Sequence, residues 1–179
     1  MKGQNKLLSS NCDEWETPQN LFNYLNEKFK FTLDPCSTLK NAKCKGCITK
    51  EGLFDRDRKI LMQRGNGLTL NWNLSSNSIF CNPPYSTIKL WVKKCYEESK
   101  KGSIVVMLIP ARVDTTYWHD FIFPFAREII FIRGRLKFND HKNPSTFPSA
   151  IIIFKKRKRK YLKISTISNK MKGSKKVKK

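Results

Sequence analysis

No run of apolar residues in this 179-residue chain is long enough to span a bilayer. The opening stretch MKGQNKLLSSNCDEW also lacks the continuous apolar segment of a secretory signal, so the sequence predicts a cytoplasmic protein. Acidic residues are scarce, 14 Asp and Glu against 36 Lys and Arg, which leaves a formal charge of +22. Between Lys155 and Lys179 there is no acid at all beside 13 Lys and Arg, so the rest of the chain carries +9. Such a run is either a solvated tail or a polyelectrolyte arm for nucleic acid. It lacks the regular apolar face needed to lie on an anionic membrane, which argues for nucleic acid as partner and against a membrane. Histidine is rarer still: His119 and His141 stand in no paired spacing with Cys12, Cys36 or Cys44-Lys45-Gly46-Cys47, so no metal is expected. In a reducing compartment the six cysteines read as thiols. Nothing marks an obligatory protein partner.

What is present fits one α/β domain over 13–157, preceded by a flexible segment (1–12) and followed by a basic, disordered tail (158–179). TPQNLFNYLNEKF predicts a helix with Thr17 as cap, Pro18 in the first turn and an apolar stripe of Leu21, Phe22, Leu25 and Phe29. FTLD and NSIFCN read as short strands, and Ile88, Trp91, Val92 and Cys95 repeat at helical spacing after the second. GSIVVMLIPA is the β-branched run of a strand buried on both faces. TTYWHDFIFPFA predicts a helix broken near Pro124, and EIIFIR and SAIIIF an antiparallel strand pair. Between Pro35 and Arg64 only a short helix near DRDRKILMQR suggests itself. The sum is a mostly parallel sheet with an antiparallel edge strand. Ligands bind such sheets beyond the carboxyl ends of the strands, where Asp34, Asn82 and Pro110 all fall.

Asn82-Pro83-Pro84-Tyr85 sits between a strand and a helix. Two adjacent prolines remove two donors and stiffen the chain, so the loop offers acceptors on a rigid frame. The amide oxygen of Asn82 and the carbonyl of Pro83 suit an amino group with two hydrogens, and Tyr85 offers a flat face for stacking. Holding both hydrogens draws such a nitrogen towards tetrahedral geometry and frees its lone pair for attack.

This loop resembles the Asn/Asp-Pro-Pro-Tyr motif of S-adenosylmethionine-dependent amino methyltransferases. Together with DEWETPQNLFNYL, LDPC, GLTLNW, LIPARVDTTYWHD, IRGRLKF and FPSAIIIF, it is similar to the phage-type DNA N-6-adenine methyltransferase (Dam) family over most of Trp15 to Phe154. The resemblance implies a Rossmann-like methyltransferase fold, S-adenosyl-L-methionine as cofactor, and adenine in DNA as substrate, flipped out of the duplex. By position, Asn82 and Pro83 accept from the adenine amino group, Pro84 shapes the loop, and Tyr85 stacks on the base. Phe138 stacks on its other side, with Phe147 competing for that role. Trp15, Thr17, Asp34, Pro35 and Asn82 bind the cofactor, although Thr17 also suits a plain helix cap. Arg112, Arg133 and Arg135 are candidate DNA contacts, with Asp114 a possible partner for Arg112. The resemblance further implies a phage or prophage origin and the cytoplasm of a bacterial host; so little chain lies outside the catalytic core that target recognition is expected to be short or relaxed and built from Pro35–Arg64 and Asn139–Thr146. The chain departs from the wider pattern at Ser37-Thr38-Leu39-Lys40, where a glycine-rich turn is expected, and at Asn66 and Asn71, where acids are common. Two other readings stand beside it: a methyltransferase of RNA or protein glutamine with the same loop, and a non-catalytic basic DNA-binding protein.

Overall fold

The computed structural model describes residues 15–55, 57, 59–63, 65–72, 78–138, 143–156 and 161–170. The expected flexible segment 1–12, and residues 139–142 of the expected recognition loop, lie outside them. Helix α1 (Gln19–Phe29) buries Leu21, Phe22 and Leu25. Its cap position is held by Pro18 with no side-chain hydrogen bond, so Thr17, one residue earlier, is not the expected cap. Asn26 closes the other end, its carbonyl accepting from Lys30 at 2.9 Å and its side chain from Phe31 at 2.8 Å.

The strands are β1 (Leu33–Asp34), β2 (Gly46–Ile48), β3 (Gly52–Phe54), β4 (Ile60–Gln63), β5 (Ser78–Cys81), β6 (Ile104–Pro110), β7 (Glu128–Arg133), β8 (Ser149–Phe154) and β9 (Lys163–Ser168). They form one sheet in the order β4-β3-β2-β1-β5-β6-β8-β7-β9. Only β3 and β8 oppose the direction of the others. The antiparallel strand β8 lies inside the sheet, between β6 and β7, rather than at its edge. The stretch near DRDRKILMQR gives β4 in place of the expected helix, because it pairs with β3. Helix α2 (Ile88–Lys100) and a π-helical turn (Trp118–Ile122) running into the short α3 (Phe123–Phe125) cover one face. Helix α1 covers the other. Strand β6 serves both, with Val105, Met107 and Ile109 in one cluster and Val106 and Leu108 in the other.

The sheet also runs past the expected domain boundary at 157. Strand β9 lies within the stretch read as tail, because KISTIS pairs in parallel with β7 from Glu128↔Lys163 to Arg133↔Ser168. Its residues are half-buried or exposed and carry lysine, so no apolar run announces it. Glu128 fixes its start by pairing with Lys163 (2.7 Å) and Ser165 (3.2 Å). Asn169 fixes its end, donating to the carbonyls of Arg133 (3.1 Å) and Arg135 (2.8 Å). Its side chain lies against Gly134, whose φ of +87° already disfavours any other residue there.

One buried charge braces α2. Glu98 has a fully buried side chain that accepts from Lys101 (2.8 Å), Lys94 (2.9 Å) and the Trp72 backbone (3.3 Å). Burial opposes its charge, yet the hydrogen bonds from Lys101 and Lys94 outweigh burial and hold its carboxyl below the ordinary 4.5. A depressed carboxyl pKa contributes stability above the ordinary value that is lost as pH falls through the folded one. Urea denaturation at pH 7 should therefore show Glu98→Gln weaker than the native protein by about 1 to 3 kcal/mol, the two converging in acid. Truncation after Lys170 should leave the melting temperature unchanged. Truncation after Lys156 removes β9 and should lower it by about 5 °C or more, which a thermal melt by circular dichroism reads directly.

Candidate active site at the carboxyl edge of the sheet

Strand β5 is hydrogen-bonded to β1 on one side and β6 on the other, so the residue after Cys81 emerges from the middle of the sheet at its carboxyl edge. Pro83 is buried and Pro84 extended, and a 3₁₀ turn (Tyr85–Thr87) leads into α2. Asn82 is half-buried. Its Nδ2 donates a short hydrogen bond to the backbone carbonyl of Trp15, 67 residues away, and its Oδ1 accepts from the Tyr85 hydroxyl at 3.2 Å. These two contacts fix which end of the amide is oxygen, a choice no loop sequence makes alone. Burial raises the Tyr85 phenol above its ordinary value, with Cys36 and Tyr117 adding to the effect, so it stays a donor.

Four aromatic rings meet here. Trp15 lies nearly parallel to Tyr85, 6.3 Å away at 17°, and edge-on to Phe138 (5.2 Å) and Phe147 (5.3 Å). Phe147 also meets Tyr85 edge-on at 5.5 Å. Phe138 is fully buried, whereas Phe147 is half-buried. The structure thus gathers Tyr85 with both phenylalanines. It adds Trp15 at their centre, where its place in the sequence gave no hint of ring contacts.

Beside the rings opens a cavity of about 740 Å³, lined by Trp15 to Thr17, the turn from Asp34 to Asn41, the Thr49–Glu51 hairpin, Asn66 to Leu68, Asn82 and Pro84. All five expected cofactor residues, Trp15, Thr17, Asp34, Pro35 and Asn82, therefore line one space. Asp34 is buried and accepts the backbone N–H groups of Cys36 (3.4 Å) and Lys43 (3.3 Å), so its carboxylate shapes a turn that lacks glycine. Gly67 closes another wall: a Cβ there would meet the Pro35 carbonyl at 1.9 Å and the Trp91 ring at 2.6 Å.

Three charged residues went unnoticed in the sequence. Lys43 bridges to Glu16 (2.6 Å) and Gln19 (3.2 Å), tying the β1–β2 connection to the start of α1. Glu51 accepts a short bond from the Thr49 hydroxyl, which is the main cause holding its carboxyl below the usual value. Each lies in the stretch with no legible periodicity or just before α1, so no local signal marked it.

Arg112, Arg133 and Arg135 are exposed, at or just beyond the carboxyl ends of β6 and β7, and do not line the cavity. The thiols of Cys36 and Cys81 touch at 3.6 Å under the cavity floor. Burial raises both, and also Cys44 and Cys95, so these thiols are protonated packing groups rather than nucleophiles. Among the described residues no three histidine, cysteine or acidic side chains gather as a metal site, and no helix is long and apolar enough to cross a membrane.

Comparison with known proteins bears on the fold and the family. A solved structure described as a putative class I S-adenosylmethionine-dependent methyltransferase from Listeria monocytogenes superposes with a TM-score of 0.57 at 15% identity, over 89% of this chain and 68% of that one. It shares the fold. The DNA N-6-adenine-methyltransferase of Haemophilus phage HP1 is 26% identical over 162 residues, 86% of this chain and 85% of the relative. That of Escherichia phage T1 is 30% identical over 125 residues, 69% of this chain and 46% of the relative. The model of the family described as DNA N-6-adenine-methyltransferase (Dam) matches residues 4–178, and the chain belongs to that family.

Proposed function

We propose that this protein methylates the N6 amino group of adenine in DNA at a short or relaxed target, with the Asn82–Tyr85 loop as its catalytic element. The observation that carries the reading is the pinned amide of Asn82, set at the rim of the cavity beside a cluster of aromatic rings. Asn82 Oδ1 and the Pro83 carbonyl accept the two amino hydrogens, which frees the nitrogen lone pair without a general base. Tyr85 takes one face of the flipped base, and Phe138 or Phe147 packs on the other side. Of the two, Phe147 is the ring that touches Tyr85 and keeps an exposed surface.

S-Adenosylmethionine, which the family and fold imply, supplies an electrophilic methyl group on a sulfonium. The residues present suit it. The cavity is large enough for a nucleoside carrying an amino acid, and Glu51 offers an ionised carboxylate to a pair of vicinal hydroxyls. Asp34 and Thr17 lie deeper, where an ammonium and a carboxylate need partners. Arg112, Arg133 and Arg135 face solvent at the same edge and suit phosphate contacts. Parallel β9 ends beside Arg133, which puts Lys170 near that edge as well.

Incubation with S-adenosylmethionine labelled in its methyl group and DNA of mixed sequence should yield labelled N6-methyladenine after nuclease digestion. Cofactor binding with label in RNA or glutamine instead, or in nothing, would sink the reading. Asn82→Ala should slow methyl transfer about a hundredfold, on the order of 3 kcal/mol, with little change in cofactor affinity. Tyr85→Ala should weaken capture of the base by roughly 1 to 3 kcal/mol, measured as a rise in KM for DNA.

A further inference from the structure

One ring in the aromatic cluster borders the cofactor cavity and also meets the rings assigned to the base. Trp15 lies offset from Tyr85 and nearly parallel to it, with ring centres 6.3 Å apart, and is steeply inclined to both Phe138 and Phe147 at 5.2 and 5.3 Å. Those are the three rings to which contact with the base is assigned. Its indole is a flat fused bicycle close to a purine in size, and its centroid distances are ordinary for attractive aromatic pairs. The backbone of the same residue accepts the Nδ2 hydrogen of Asn82, leaving Oδ1 turned to Tyr85. One residue therefore sets the amide of Asn82 through its main chain and packs beside the Tyr85 ring through its side chain.

We propose that the Trp15 indole is seated in the adenine site of the DNA-free protein as an internal stand-in for the base. The entering base displaces the side chain, while the Trp15 carbonyl stays on Asn82. This rests on the reading of Tyr85 as the stacking face. An apolar slot between four rings holds water poorly, because a water there finds few polar partners. Filling it with indole keeps the Tyr85–Asn82 hydrogen bond dry and the amide oriented before DNA arrives. The exchange also selects. A purine replaces the bicyclic contact, and adenine presents two amino hydrogens at C6, where guanine presents a carbonyl oxygen that the acceptors of the loop repel, whereas a pyrimidine covers less of Tyr85 and leaves the indole the better occupant. Trp15 acts as a positioning residue and a gate on the site, not as a group that touches the reacting atoms.

Fluorescence separates a gate from a wall. Trp72, Trp91 and Trp118 are at most 6% exposed, so acrylamide-accessible emission of the full chain belongs to half-buried Trp15. With S-adenosylhomocysteine present, a mixed-sequence duplex should increase quenching, a duplex of dG and dC alone should not, and Trp15→Phe should show no response. Trp15→Ala should raise kcat/KM for DNA about two- to tenfold, the equilibrium worth of one aromatic pair. If Trp15→Ala folds poorly by circular dichroism, Trp15→Phe, which keeps a smaller ring, should show a lesser rise in the same assay. Unchanged or reduced quenching on binding adenine-containing DNA, or a lowered kcat/KM of Trp15→Ala for DNA at saturating S-adenosylmethionine, would each overturn the proposal. Absence of methyl transfer by the native protein would instead defeat the functional reading, and the quenching comparison would still decide the seat of Trp15.

Discussion

The arrangement of the site depends on one side-chain amide held at both ends. A free asparagine rotates, and half of its orientations would present hydrogens to a substrate amino group that needs acceptors. Here the Trp15 carbonyl takes the nitrogen end and the Tyr85 hydroxyl meets the oxygen end, so the amide is held in one orientation before any ligand binds. Acceptors fixed in advance need no reorganisation in the transition state, which is where electrostatic stabilisation is most effective. The double proline contributes by holding the backbone that carries this amide nearly rigid.

The sheet makes that arrangement possible. Strand β5 runs between β1 and β6, so Asn82 leaves the centre of a layer that is covered on both faces. The same strand end puts Asn82 next to the turn after β1, where Asp34 ties down backbone that glycine would otherwise shape. The cavity and the aromatic cluster therefore share a border at Asn82 and Trp15. On the other side, β8 returns antiparallel between β6 and β7, and β9 completes β7.

Legibility followed the size of the apolar signal. GSIVVMLIPA announced β6 because a strand covered on both faces must be apolar throughout, and α1 and α2 showed stripes because each covers one face. Strands β2, β3 and β4 span only three or four residues each, too few to show a period, and the flanking Lys45, Lys50 and Lys59 read as loop. Strand β9 alternates weakly at the sheet edge, where half its side chains need no burial, and the surrounding lysines read as tail. Thr17 looked like a helix cap because threonine favours that position, yet Pro18 took it and left Thr17 buried at the cavity.

By itself, the sequence determined the α/β class and the stiff loop from Asn82 to Tyr85, since each rests on residue type and short-range spacing. A double proline after an apolar strand is rigid in any context, and a β-branched run has few alternatives to a buried strand. Only the tertiary structure decided what the amide of Asn82 bonds to, which rings surround Tyr85, that Glu51 and Lys43 stand at the cavity, and that the sheet has a ninth strand. Those are contacts between segments far apart in the chain, such as the 67 residues between Trp15 and Asn82. Local propensity carries no record of them, because they form only when strand order brings distant backbone to one edge.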